Sequence, residues 1–88
     1  MIFLSNFAEN NIRMATEEII KKRENVAKII RNKRERMRLT QEELAEKVGF
    51  NTSTILRIET CKFSPNADQL YMIAEALEIE ITLDGEKI

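Results

Sequence analysis

Gln41-Glu42-Glu43-Leu44-Ala45-Glu46-Lys47-Val48-Gly49-Phe50-Asn51-Thr52-Ser53-Thr54-Ile55-Leu56-Arg57-Ile58-Glu59-Thr60 is a run with few ways to fold. Thr40, just ahead of it, completes a capping box. The threonine hydroxyl accepts from the third helical N–H, and Glu43 reaches back to the threonine N–H. Leu44, Ala45 and Val48 then share the inner face of a short helix. Gly49 ends that helix, because a left-handed backbone costs glycine little. Asn51 is the candidate cap of a second short helix, with Thr54 three residues on, and Ile55 and Ile58 make its inner face. Two helices crossing at about 90–120° over a three- to four-residue turn approach closely near that turn. Ala45 is small where they meet, and Leu44, Val48, Phe50, Ile55 and Ile58 fill the wedge between them. This register predicts a helical hairpin. Hairpins of this kind hold DNA in some proteins and other proteins in others.

Upstream, Thr16 is a candidate cap, with Glu17 and Glu18 in the positive first turn. Ile19, Val26, Ile30 and Met37 fall on one stripe with Ile29 beside it, and no glycine or proline interrupts before Leu39. A helix is predicted over this stretch. Downstream, residues 60–64 read as a loop. Pro65 and Asn66 open a further helix, with Gln69 completing a cap with Asn66 and Leu70, Ile73, Ala74 and Leu77 as its stripe. The period then changes. Glu78-Ile79-Glu80-Ile81-Thr82-Leu83 alternates and Asp84-Gly85 is a turn signal, which predicts one strand. A lone strand has unmet backbone groups. No other segment is a strong partner, so the same strand of a second copy is expected to pair with it. Residues 1–15 show no clear period, and three readings stand: a disordered arm, a docking segment, and an extension ahead of an internal start at Met14. The expected division is an arm over 1–15, a helical domain over 16–78, and a strand and tail over 79–88.

Eighty-eight residues hold one domain with one modest core, for which association is a common remedy. The chain is 43% apolar and 33% charged, with two glycines and one proline, which suits a helical domain and not a disordered chain. A single cysteine excludes an intrachain disulfide and fits a reducing, cytoplasmic setting. With no histidine and one thiol, no common zinc site is available, and no cofactor is expected. Met1-Ile2-Phe3-Leu4 has no basic region before it and no long apolar run after it, so neither a signal peptide nor a membrane span is read. The net charge of −1 does not suggest a nucleic-acid binder, but the distribution does. Residues 21–38 carry nine Lys/Arg against Glu24 and Glu35, a net of +7, while residues 39–88 carry four against ten Asp/Glu, a net of −6. Phosphate contact depends on local potential, so a basic segment can meet DNA while an acidic one faces elsewhere. A solvated helix with i,i+4 pairs explains the run equally well. An enzyme is not expected: there is no histidine, no metal cluster, no phosphate-cradling glycine loop, and no serine or cysteine with an evident base.

Leu39-Thr40-Gln41-Glu42-Glu43-Leu44-Ala45-Glu46-Lys47-Val48-Gly49, then Ile55-Leu56-Arg57-Ile58-Glu59, then Pro65 and Ala74-Glu75-Ala76-Leu77, resemble the phage Cro and repressor (XRE-like) type of helix-turn-helix protein over roughly residues 24–79. The resemblance implies an all-α, lambda-repressor-like bundle of about five helices that binds an operator in double-stranded DNA as a homodimer. Residue by residue, it places Gln41 at a helix start that meets a phosphate. It places Thr52, Ser53 and Arg57 on the recognition helix facing base edges. Arginine suits bidentate contact with guanine, and Leu56, apolar and outward, suits a thymine methyl. Asn51 and Lys62 flank the helix as phosphate candidates. Arg34 and Glu59 match a family ion pair that ties the first helix to the third. Cys61 stands where the family usually has glycine, so a left-handed conformation there would carry strain.

The tail Ala76-Leu77-Glu78-Ile79-Glu80-Ile81-Thr82-Leu83-Asp84 is similar to that of HipB-like antitoxins, in which a terminal strand pairs across the dimer. Two functions are therefore carried forward. One is a dimeric transcriptional repressor. The other is an antitoxin that binds a toxin protein and autoregulates its operon.

Overall fold

The computed structural model describes the backbone of residues 2–88 and the side chains of residues 16–88, and what the side chains of residues 1–15 do lies outside the described residues. The elements in chain order are α1 (Ile2–Arg36), α2 (Gln41–Val48), α3 (Thr52–Glu59), α4 (Ala67–Ala76), β1 (Thr82–Leu83) and β2 (Glu86–Lys87). The described residues thus hold four helices where about five were expected, with a hairpin in the last position. Thr16 lies inside α1 and does not cap it, since nothing in the sequence on either side interrupts a helix.

One core joins the elements. Ile30 of α1, Leu44, Ala45 and Val48 of α2, Ile55 and Ile58 of α3, Ile73 of α4 and Leu77 after it are buried together. Helix α2 packs on α3 and α4, and α1 packs on α3. The expected stripe of α1 is only partly used. Ala27 and Ile30 are buried, but Ile19 and Ile29 stay 47% and 54% exposed. The buried core meets α1 at Ala27 and Ile30, so Ile19, further towards the start of the helix, lies at its margin. Ile19 instead edges an open groove with Val26, Phe63, Pro65 and Leu70.

The helix starts follow the sequence. Thr40 and Asn66 each form a complete capping box, with Glu43 and Gln69 respectively. Asn51 takes the cap position of α3 with extended backbone, but its side chain makes no capping bond. All four helices end in the same way. The residue after the last turn is left-handed, and the next N–H reaches back five residues: Leu39 to Arg34, Phe50 to Ala45, Lys62 to Arg57 and Ile79 to Ala74, at 2.8–3.1 Å. Only Gly49 supplies that conformation freely. Arg38, Cys61 and Glu78 adopt it at φ 58°, 62° and 56°.

The tail corrects an expectation. Thr82–Leu83 does not lack a partner in its own chain: it pairs antiparallel with Glu86–Lys87, Thr82 opposite Lys87 and Leu83 opposite Glu86. The connection is the Asp84-Gly85 turn, with φ 51° and 79°. Positive φ at both central residues makes a two-residue turn whose twist matches the flanking strands. Ile88 N–H adds a bond to the Ile81 carbonyl at 3.1 Å.

Candidate nucleic-acid interface

Helix α3 is eight residues long and two-sided. At about 100° per residue, Thr52, Leu56, Ser53 and Arg57 fall within an arc of about 140°, and Ile58, Ile55 and Glu59 fall on the opposite side. Burial follows that division. Ile55, Ile58 and Glu59 are buried, while Thr52, Ser53, Leu56 and Arg57 are exposed. Leu56 keeps 48% of its surface in water.

The inner side is fixed by a polar lock. Arg34 Nε donates to Glu59 Oε2 at 2.7 Å and Nη2 to Glu59 Oε1 at 2.9 Å. Arg34 Nη1 donates to the Leu39 carbonyl at 2.7 Å, and Gln41 Nε2 donates to Glu59 Oε1 at 3.1 Å. The Arg34 and Glu59 side chains are 11% and 2% exposed. A carboxylate taken out of water needs such a set of donors. The bond to Glu59 in turn holds the Arg34 guanidinium more firmly protonated than usual, against the opposing effect of burial. The lock joins α1, the Leu39 turn, the start of α2 and the end of α3, so it sets how far α3 stands out. Among the described residues no buried side-chain polar atom lacks a partner.

The sequence-predicted site residues divide on this frame. Thr52, Ser53, Leu56 and Arg57 share the outer face, and Asn51 and Lys62 lie exposed at its two ends. Gln41 is half-buried, and its amide nitrogen is committed to Glu59. Beside it, the capping box takes up the Thr40 and Glu43 N–H groups, and those of Gln41 and Glu42 precede the first intrahelical acceptor. The sequence reading missed Gln41's part in the lock and missed Phe63. The Arg57 guanidinium carbon stands 5.7 Å from the centre of the Phe63 ring. The contact follows from Cys61: its left-handed backbone turns the chain back along α3 and brings residue 63 beside residue 57, which the residue type does not signal.

No group of three or more histidine, cysteine or acidic side chains is gathered to hold a metal among the described residues. No helix among them is long and apolar enough to cross a membrane.

Residues 30–83 match the family described as Helix-turn-helix. The chain is also 45% identical over 49 residues to an uncharacterized HTH-type transcriptional regulator of Methanothermobacter thermautotrophicus, covering 56% of this chain and 71% of that protein. No solved structure matches the chain.

Proposed function

This chain belongs to the XRE-type helix-turn-helix family of DNA-binding transcription regulators, and from that premise we propose that it is a dimeric, sequence-specific repressor that lays α3 in the major groove of an operator. One observation carries the reading: the outer face of α3 is exposed while its inner face is fixed by the Arg34–Glu59–Gln41 lock. In this reading Thr52, Ser53, Leu56 and Arg57 meet base edges. Asn51 and Lys62 meet phosphates on either side. Gln41 meets a phosphate through the N–H groups at the start of α2, since its amide is already spoken for. Asn51 stands exposed at the start of α3, where its side-chain NH2 can donate to a phosphate.

Selection from a randomised duplex library tests this. The expected result is a two-fold symmetric site with half-sites about one helical turn apart, 34–36 Å. Recovery of no preferred sequence would sink the proposal. Recovery of a single unrepeated half-site would remove the dimer.

The exposed Leu83 and Ile88 on the hairpin, 66% and 61% exposed, favour a second reading in which the tail also grips a toxin protein. Co-expression with the neighbouring reading frames of its operon tests that: a stoichiometric complex lost on Leu83→Ser is expected, and its absence removes the antitoxin role.

A further inference from the structure

We propose that Phe63 is a positioning residue for Arg57: its ring holds the guanidinium in place before DNA arrives and so sharpens the base preference that Arg57 imposes. The inference rests on the reading of α3 given above and deepens it.

Four features of the α3 end act together. Cys61, left-handed at φ 62°, reverses the chain. Lys62 N–H and Phe63 N–H both donate to the Arg57 carbonyl, at 2.8 and 3.1 Å, so residue 63 is tethered to residue 57 itself. The Phe63 ring is half-buried and packs against the core, which fixes its orientation. The Arg57 guanidinium then lies 5.7 Å from the ring centre, within the reach of a cation–π contact. The Arg57 guanidinium takes part in no ion pair, and the ion pairs among the described residues engage other cations. Contact with a ring face leaves the in-plane N–H fork unspent. A long side chain free in water loses rotamer freedom when it docks. One already held against a ring loses less. Guanine recognition needs two N–H groups at a fixed angle, so the benefit falls on one base pair and not on affinity at large.

The test compares Phe63→Leu, which keeps apolar bulk, with Phe63→Tyr, which keeps the ring, beside Arg57→Ala. Affinities are measured for the selected duplex and its single-base variants, with thermal melting as a check on folding. The proposal expects Phe63→Leu to cut discrimination about two- to fivefold at the base pair that Arg57→Ala relaxes, the size of an exposed cation–π contact, and at no other. Phe63→Tyr should retain it. In the free protein, the Arg57 Nε–H resonance should lose its ring-current shift in Phe63→Leu only. A uniform loss over all duplexes, or an unchanged preference in Phe63→Leu, overturns the proposal while the reading of α3 survives. If Arg57→Ala relaxes no position at all, the base-reading role of Arg57 has failed and the proposal falls with it.

Discussion

Glu59 is the buried charged side chain of the core region, and three donated hydrogen bonds balance its desolvation. A chain of 88 residues has a total stability of about 4–13 kcal/mol. Removing one member of a buried pair costs about 3–5 kcal/mol, because the other is left charged and unmatched, whereas replacing both by apolar residues costs far less. Glu59→Leu should therefore bring the protein close to unfolding. Arg34→Met combined with Glu59→Leu should recover about 2–3 kcal/mol relative to the sum of the singles, read by urea denaturation. Additive singles would mean that the lock contributes nothing as a unit. The raised Arg34 value has a definite sign. Its stabilisation is complete below the ordinary arginine pKa and is lost only as pH rises through the still higher folded value, so this residue confers no pH dependence near neutrality. Cys61 offers the reverse case. Its left-handed backbone carries roughly 1 kcal/mol of strain that glycine lacks, partly offset by glycine's greater freedom when unfolded. Cys61→Gly should raise stability by about 0.5 kcal/mol, and a drop in melting temperature would show that the thiol's packing outweighs the strain.

At the scale of elements, two capping boxes of different chemistry start α2 and α4. The α2 box uses Glu43, whose carboxyl is held below the ordinary glutamate range first by the Thr40 backbone N–H and then by the Thr40 hydroxyl. The α4 box uses Asn66 and Gln69, which do not titrate. A depressed carboxylate contributes stability above its unfolded pKa and loses it as pH falls through the folded value. Acid should thus loosen the first turn of α2 while the first turn of α4 holds, seen as amide exchange rising in one and not the other. Glu43→Gln should remove the difference. Equal loosening of both helices in the wild type would show that acid acts on the whole core instead. These starts were legible in the sequence because a cap is local, settled within four residues. So were the Gly49 turn and the apolar wedge, where type and spacing leave one solution. The hairpin partner was not legible. Glu86-Lys87-Ile88 is too short to show a period, and it pairs only because Asp84 and Gly85 both accept positive φ. Ile19 misled for the opposite reason: its period is helical and apolar, but burial depends on how far α2–α4 extend along α1. The contacts of Gln41 with Glu59 and of Phe63 with Arg57 depend on tertiary placement and on the left-handed turn at Cys61, which residue types alone do not reveal.

Over the whole molecule, charge is separated along the chain, net +7 in residues 21–38 and net −6 in residues 39–88. Not every cation in the basic run is free for phosphate. Arg34 is withdrawn into the lock, whereas Arg31 pairs with Glu35 at 3.0 Å in the open, with side chains 63% and 55% exposed, a bond weak enough to exchange for a phosphate. Affinity resting on such contacts falls with salt, because each neutralised phosphate releases counterions; about 6–10 contacts per dimer cost about 10³–10⁵ in affinity between 50 and 200 mM. Lys62 and Arg57 separate the two kinds of contact. Lys62, exposed beyond α3 and with no base edge in the proposed docking, should act on the slope: Lys62→Ala should reduce the slope of log K against log salt by about one per subunit and weaken all duplexes alike. Arg57→Ala should leave the slope nearly unchanged while relaxing one base pair by about 1–3 kcal/mol. The two variants measured side by side on one set of duplexes form a crossed test. Exchange of the two effects would move Arg57 to the backbone and Lys62 to the groove. A flat salt response in the wild type would leave the charge separation as a property of the protein surface and take away the electrostatic part of its hold on DNA.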